Sequence, residues 1–124
     1  SAAMPKVVRY ISEIVKAKTI AIIYVNNDFG KGGRDMVIKE LQTAGIQVVA
    51  DISTDAGQID FSAAVLKAKQ TNAEALFAYT NEEESARLLR ELIQYEARSR
   101  RAFSAHQGLK GLAPFGGLDR VGVG

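Results

Sequence analysis

The apolar positions of this chain switch between two spacings, and the switch points mark its elements. Val7, Val8, Ile11, Ile14 and Val15 recur at helical spacing, which predicts an amphipathic helix over Pro5 to Ala17 with proline near its first turn. Thr19 to Val25 (TIAIIYV) is apolar on both faces, the pattern of a parallel strand covered by helices on each side. Helical spacing returns over Lys31 to Ala44, where Val37, Leu41 and Ala44 share a face and Gly45 supplies a C-terminal stop. Ile46 to Ile52 (IQVVADI) reads as a second strand. Asp60 is placed to cap a helix whose buried face is Phe61, Ala64, Val65 and Ala68. Glu74 to Tyr79 (EALFAY) is a third strand. Thr80-Asn81-Glu82-Glu83 then fits a capping box, with a threonine hydroxyl and a glutamate three residues on satisfying free amides. Glu82, Glu83 and Glu84 place negative charge at the positive end of the helix dipole. That helix is expected to run to about Ala97 and to bury Ala86, Leu89, Leu92 and Ile93.

Strands alternating with helices across short connections imply an α/β fold, a parallel sheet with right-handed crossovers. After Arg98 the apolar period is lost, and six of the eleven glycines lie between Gly108 and Gly124. The expected division is therefore an α/β lobe over residues 1–97, followed by a weak fourth strand at Arg101 to Ala105 and a glycine-rich irregular tail to residue 124.

Composition narrows the function classes. At 124 residues the chain is long enough for one domain with a real core, and 47% hydrophobic with 24% charged is ordinary for a globular protein. No run approaches the roughly 20 apolar residues of a membrane span, and Ser1-Ala2-Ala3-Met4 lacks the basic and apolar regions of a signal peptide. Lys and Arg number 16 against 14 Asp and Glu, so the charge is near balance. The one basic cluster, Arg98, Arg100 and Arg101, has no interleaved aromatics to stack bases, and nucleic acid is not expected as a partner. Cysteine is absent, which removes disulfide scaffolds, thiolate metal sites and cysteine nucleophiles.

In an open parallel sheet, ligands sit beyond the carboxyl ends of the strands. The loops there are Asn26 to Gly33, Thr54 to Asp60 and Tyr79 to Glu83. Gly30, Gly32 and Gly33 form neither the dinucleotide nor the P-loop spacing, so tight turning and close packing explain them better than a phosphate cradle. Asp28, Asp51, Asp55 and Asp60 would suit a phospho-acceptor pocket, but the third strand ends in Tyr79-Thr80-Asn81 with no aspartate. His106 is the one histidine. Ser104 would share a strand face with it, but no acid lies nearby to orient the imidazole or to complete a metal site, so no catalytic residues, metal or cofactor are assigned. Glu82 to Glu84 fit either helix-capping carboxylates or partners for a ligand's ammonium group. Phe29, an aromatic on an exposed loop, is placed to meet a ligand.

The segments KTIAIIYVNNDFGKGG, AGIQVV, DFSAAVLKAK and LFAYTNEEESARLLREL, spanning about Lys18 to Tyr95, occur in an order and spacing that resembles the second lobe of the type I periplasmic solute-binding proteins, the leucine/isoleucine/valine-binding kind. The resemblance implies a flavodoxin-like three-layer sandwich, a single lobe of the periplasmic-binding-protein type I fold. It implies a non-enzymatic role outside the cytoplasm, with a small solute, an amino acid or amino-acid-like molecule, held in the cleft between this lobe and a second one. The solute is then handed to an ABC permease. By position, Phe29 stands where the family often has a tyrosine lining the ligand's side-chain pocket, and Asn81 with Thr80 and Glu82 occupies the loop after the third strand. Asp28, Tyr79 and His106 complete the candidate set. The family's acidic residue after the fourth strand would fall in Ala105-His106-Gln107-Gly108, which contains no acid. An isolated lobe would bind at millimolar affinity or not at all, and its open cleft face favours a homodimer. The alternatives are a ligand-sensing domain of a receptor or regulator with the same fold, and a small flavodoxin-like enzyme.

Overall fold

In a computed structural model, which describes residues 3–106 and 121–123, the sheet order explains which helix lies on which face. The elements are α1 (Ala3–Tyr10), β1 (Thr19–Val25), α2 (Asp28–Thr43), β2 (Gln47–Thr54), α3 (Ser62–Gln70), β3 (Ala75–Tyr79), α4 (Glu82–His106) and β4 (Val121–Val123). The strands are ordered β2-β1-β3-β4 and every neighbouring pair is parallel. The chain steps outward from β1 to β2, then returns across β1 to β3 and β4. Right-handed crossovers in opposite directions put the connecting helices on opposite faces. Accordingly α1 and α2 enclose one core with Ile20, Ile22 and Phe77 of the sheet, and α3 and α4 enclose the other with Ala21, Ile23 and Leu76. This is the three-layer sandwich expected of the sequence.

The central strand carries the pattern that predicts it: Ile20, Ala21, Ile22, Ile23 and Val25 are all fully buried. Residue Ile22 pairs with Asp51 on one side and Phe77 on the other, and the β1–β2 register shifts by one residue between Ile20 and Ala21. At the end of α2, Gly45 takes φ +74°, its amide donates to the Gln42 carbonyl, and the Ile46 amide donates to the Leu41 carbonyl. That is the Schellman arrangement, and its apolar partners Leu41 and Ile46 are both buried.

Several boundaries differ from those expected. The first helix continues as a π-helical turn, Ile11–Val15, and closes on Lys16 in the left-handed region. Val8 and Ile11 enter the core, while the side chains of Val7, Ile14 and Val15 lie outside the described part. α2 starts at Asp28 rather than Lys31, because Asn27 caps it by accepting the Gly30 amide at 2.8 Å. Ala44 is exposed rather than on the buried face. The buried face of α4 is Leu88 and Leu92, with Leu89 and Tyr95 packed beside them, whereas Ala86 and Ile93 are exposed. Residues Arg101 to Ala105 continue α4 and form no strand; the fourth strand is Val121–Val123, in the segment expected to be irregular. The rest of that segment, 107–120 and 124, lies outside the described residues.

Candidate functional site

The strand order reverses between β1 and β3, so the crevice for a ligand opens where Val25 and Tyr79 end. Three loops meet there, and each is tied to the others. The amide of Asn26 donates to the Thr54 carbonyl at 2.7 Å, joining the β1 and β2 ends. The ring of Phe29 stacks on Tyr79, with centroids 4.6 Å apart and planes at 18°, joining the β1 and β3 ends. Behind them Phe77 lies 6.0 Å from Tyr79, so the stack is anchored in the core. The β2 and β3 ends are joined through α4: the Gly57 amide donates to Glu84 Oε1 at 2.6 Å, and Arg87 donates to the Gln58 carbonyl at 3.3 Å.

Two glycines make the aromatic stack possible. A Cβ on Gly30 would stand 1.8 Å from the Val25 carbonyl oxygen, and one on Gly33 would stand 2.0 Å from the Tyr79 ring. Glycine therefore lets the first turn of α2 sit directly against the end of β1, and lets Tyr79 lie flat beneath Phe29. Gly32 faces open space.

The loop between β2 and α3 is a tight turn. Gln58 donates its amide to the Asp55 carbonyl at 3.1 Å with Gly57 at φ +80°, as a type II turn requires. Asp60 Oδ1 accepts both the Ser62 amide at 2.9 Å and the Ser62 hydroxyl at 2.6 Å, which lowers the Asp60 pKa. The N-cap position itself is the fully buried Phe61, which makes no side-chain cap bond, so Asp60 holds the start of α3 from one residue earlier than expected. Ile59 next to it is 75% exposed on the same rim.

At the start of α4 a side-chain contact stands in place of the capping box expected from Thr80 to Glu83. Asn81, rather than Thr80, precedes the helix, and its side-chain amide donates to Glu84 Oε1 at 3.3 Å. Glu83 is exposed and pairs with Arg87, at 3.9 Å. The Gly57 amide, then Glu84's own amide, hold the Glu84 carboxyl below the usual glutamate range, with Asn81 and Arg87 adding smaller effects. A lowered native pKa means this contribution is complete above the unfolded value of about 4.5 and is lost as pH falls through the native value. Thermal melts between pH 6 and pH 3, taken as roughly neutral to acid, should therefore show a falling Tm whose slope is shallower in Glu84→Gln.

Six of the seven candidate residues lie at this end of the sheet. Asp28, Phe29 (51% exposed), Asn81 and Glu82 face solvent and Tyr79 is half-buried beneath Phe29. Thr80 is only 4% exposed and its hydroxyl is 2.6 Å from the Ser85 hydroxyl, so it braces the loop and is closed to a ligand. His106 is the exception. It ends α4, twenty-four residues from Glu82 and roughly 36 Å away at 1.5 Å per residue. The stretch beginning Ala105-His106 is consequently not the loop after the fourth strand. Gly57 and Arg87 were not singled out from sequence, and Glu84 was weighed only within the run Glu82 to Glu84, as a helix-capping carboxylate or a partner for a ligand's ammonium group.

Two surface concavities, of about 460 and 240 Å³, lie elsewhere. Both border the seam between the first helix and the end of α2, sharing Ser12, Glu13 and Ala44, at the opposite end of the sheet. Among the described residues there is no cluster of acidic or histidine side chains suited to a metal ion, and no helix long and apolar enough to cross a membrane.

Comparison with known proteins locates this architecture. The sequence profile described as periplasmic binding protein matches residues 1–117. The leucine-, isoleucine-, valine-, threonine- and alanine-binding protein of Pseudomonas aeruginosa is 31% identical over 86 residues, 69% of this chain and 23% of the relative. The Leu/Ile/Val/Thr-binding protein of Salmonella typhimurium is 32% identical over 87 residues, 70% of this chain and 24% of the relative. The chain thus spans about a quarter of the length of these relatives. A leucine-binding protein from Thermotoga maritima superposes with a TM-score of 0.69 at 22% identity, over 74% of this chain and 26% of its own. A branched-chain amino acid ABC transporter ligand-binding protein from Burkholderia xenovorans superposes over 97% of this chain and 27% of its own, at 18% identity and a TM-score of 0.63.

Proposed function

The chain belongs to the periplasmic binding protein family, and from that premise we propose that it forms one wall of a cleft that binds a small amino acid or amino-acid-like solute for ABC-type uptake, without chemistry. The observation that carries the reading is the cross-linked set of loops at the strand-order reversal, with the exposed Phe29 ring stacked on Tyr79 as its floor. A rigid apolar surface flanked by polar groups is what a small amphipathic ligand needs. Phe29 and Tyr79, with Ile59 at the rim, receive the solute's apolar side chain. Asn81 supplies hydrogen bonds, while the exposed carboxylates of Asp28 and Glu82 face its ammonium group. The relatives' names point to aliphatic amino acids, which this aromatic floor suits. The second wall comes from a second lobe, the working compartment is extracytoplasmic, and the loaded protein delivers its solute to a permease.

Equilibrium dialysis against labelled leucine and a panel of other amino acids tests the site. Phe29→Ala and Asn81→Ala are each expected to weaken binding by roughly tenfold, the loss of one well-placed contact. Unchanged binding in both variants would contradict the assignment.

A further inference from the structure

We propose that Glu84 is a positioning residue for the solute cleft: its one carboxylate fixes the β2–α3 loop against the β3–α4 loop and so sets the cleft's shape without touching the ligand. This rests on the reading of the cleft above.

Glu84 is 5% exposed, so a solute in the cleft cannot reach its carboxylate. The carboxylate does reach both loops. Oε1 accepts the Gly57 amide at 2.6 Å from one and the Asn81 side-chain amide at 3.3 Å from the other. Both bonds are charge-assisted, the stronger class. The Gly57 amide is available because the positive φ at Gly57 turns the peptide before it over, away from the turn's own Asp55–Gln58 hydrogen bond. Asn81 is the residue proposed to bond the solute, and its amide nitrogen is oriented by Glu84, which leaves its carbonyl oxygen directed elsewhere. Arg87, one turn along α4, holds the next residue of the same loop through the Gln58 carbonyl. Arg87 also reaches Glu83, at 3.9 Å, and is a second, weaker tie between the same two loops. Removing the carboxylate frees Ile59 and Asn81 to move relative to the Phe29–Tyr79 floor, and a preorganised wall becomes one that the ligand must order.

Three variants of the full chain decide the matter, read by amide-resolved hydrogen exchange and by titration with leucine. Glu84→Ala is expected to speed exchange at Gly57 and to weaken leucine binding roughly tenfold. Glu84→Gln keeps an oxygen acceptor for Gly57 and is expected to hold affinity within roughly threefold of the parent. Val37→Ala, which loosens the opposite face of the sheet, is expected to lower Tm with affinity unchanged, separating positioning from general weakening. Native affinity in Glu84→Ala, or an equal loss in Val37→Ala, would overturn the proposal. Leucine binding that Phe29→Ala and Asn81→Ala both leave unchanged would instead strike the functional reading, while unaltered Gly57 exchange in Glu84→Ala would refute the loop-holding role.

Discussion

Lys69→Met is expected to destabilise the protein by about 3–5 kcal/mol, although it puts a more apolar side chain in a buried position. Lys69 on α3 is 3% exposed and forms an ion pair with Glu96 of α4, itself 7% exposed. The ammonium also lies 5.4 Å from the centre of the Tyr95 ring. Burial lowers the Lys69 pKa by more than Glu96 raises it, so the charge is held in place at a cost. Removing it strands the Glu96 carboxylate, whose Oε2 already lacks a hydrogen bond among the described residues. The double variant Lys69→Met with Glu96→Leu removes both charges, and should return to within about 1 kcal/mol of the parent. Urea denaturation followed by circular dichroism checks both. The sign of the pH dependence follows as well. With its native pKa below the ordinary 10.5, Lys69 binds its proton more readily in the unfolded chain, so its burden on stability eases as pH rises from the native value towards 10.5. The double variant should lose that alkaline gain.

Gly30→Ala should cost about 3 kcal/mol, from overpacking that no rotamer change can relieve. The methyl would meet the Val25 backbone carbonyl oxygen at 1.8 Å, so α2 must move off the end of β1. Gly33→Ala is the informative contrast. Its methyl meets the Tyr79 ring at 2.0 Å, and a ring can swing aside. Its cost should therefore fall on the Phe29 stack and on solute binding more than on Tm. Denaturation and dialysis of the two variants side by side would show the difference. Equal losses of stability would mean that Tyr79 is not free to yield.

These features mark where the sequence was legible. β1 is apolar on both faces because it is covered on both, and Phe61, Ala64, Val65 and Ala68 fall on one side of α3 because that side meets the sheet. In both, the local pattern and the packing agree. The start of α2 was hidden because Gly30, Gly32 and Gly33 read as loop. Their reason is tertiary: two of them leave room for Val25 and Tyr79, which no local pattern announces. α4 runs on past Ala97 through Arg98, Arg100, Arg101 and Ala102 because arginine and alanine favour helix even where the apolar stripe fades. The capping box expected of Thr80 and Glu83 gives way to tertiary contacts: the Thr80 hydroxyl bonds the Ser85 hydroxyl, and Glu84 rather than Glu83 turns to Gly57 and Asn81. The Lys69–Glu96 pair joins residues 27 apart, a separation that charge patterning along one helix does not reveal.

The central claim is that the carboxyl end of this sheet is a solute-binding wall. An amide chemical-shift titration of the chain with millimolar leucine, isoleucine, valine, threonine and alanine tests it most directly. The expected shifts are confined to residues 26–33, 54–60 and 79–84. Shifts centred instead on the seam of Ser12, Glu13 and Ala44, at the opposite end of the sheet, would contradict it.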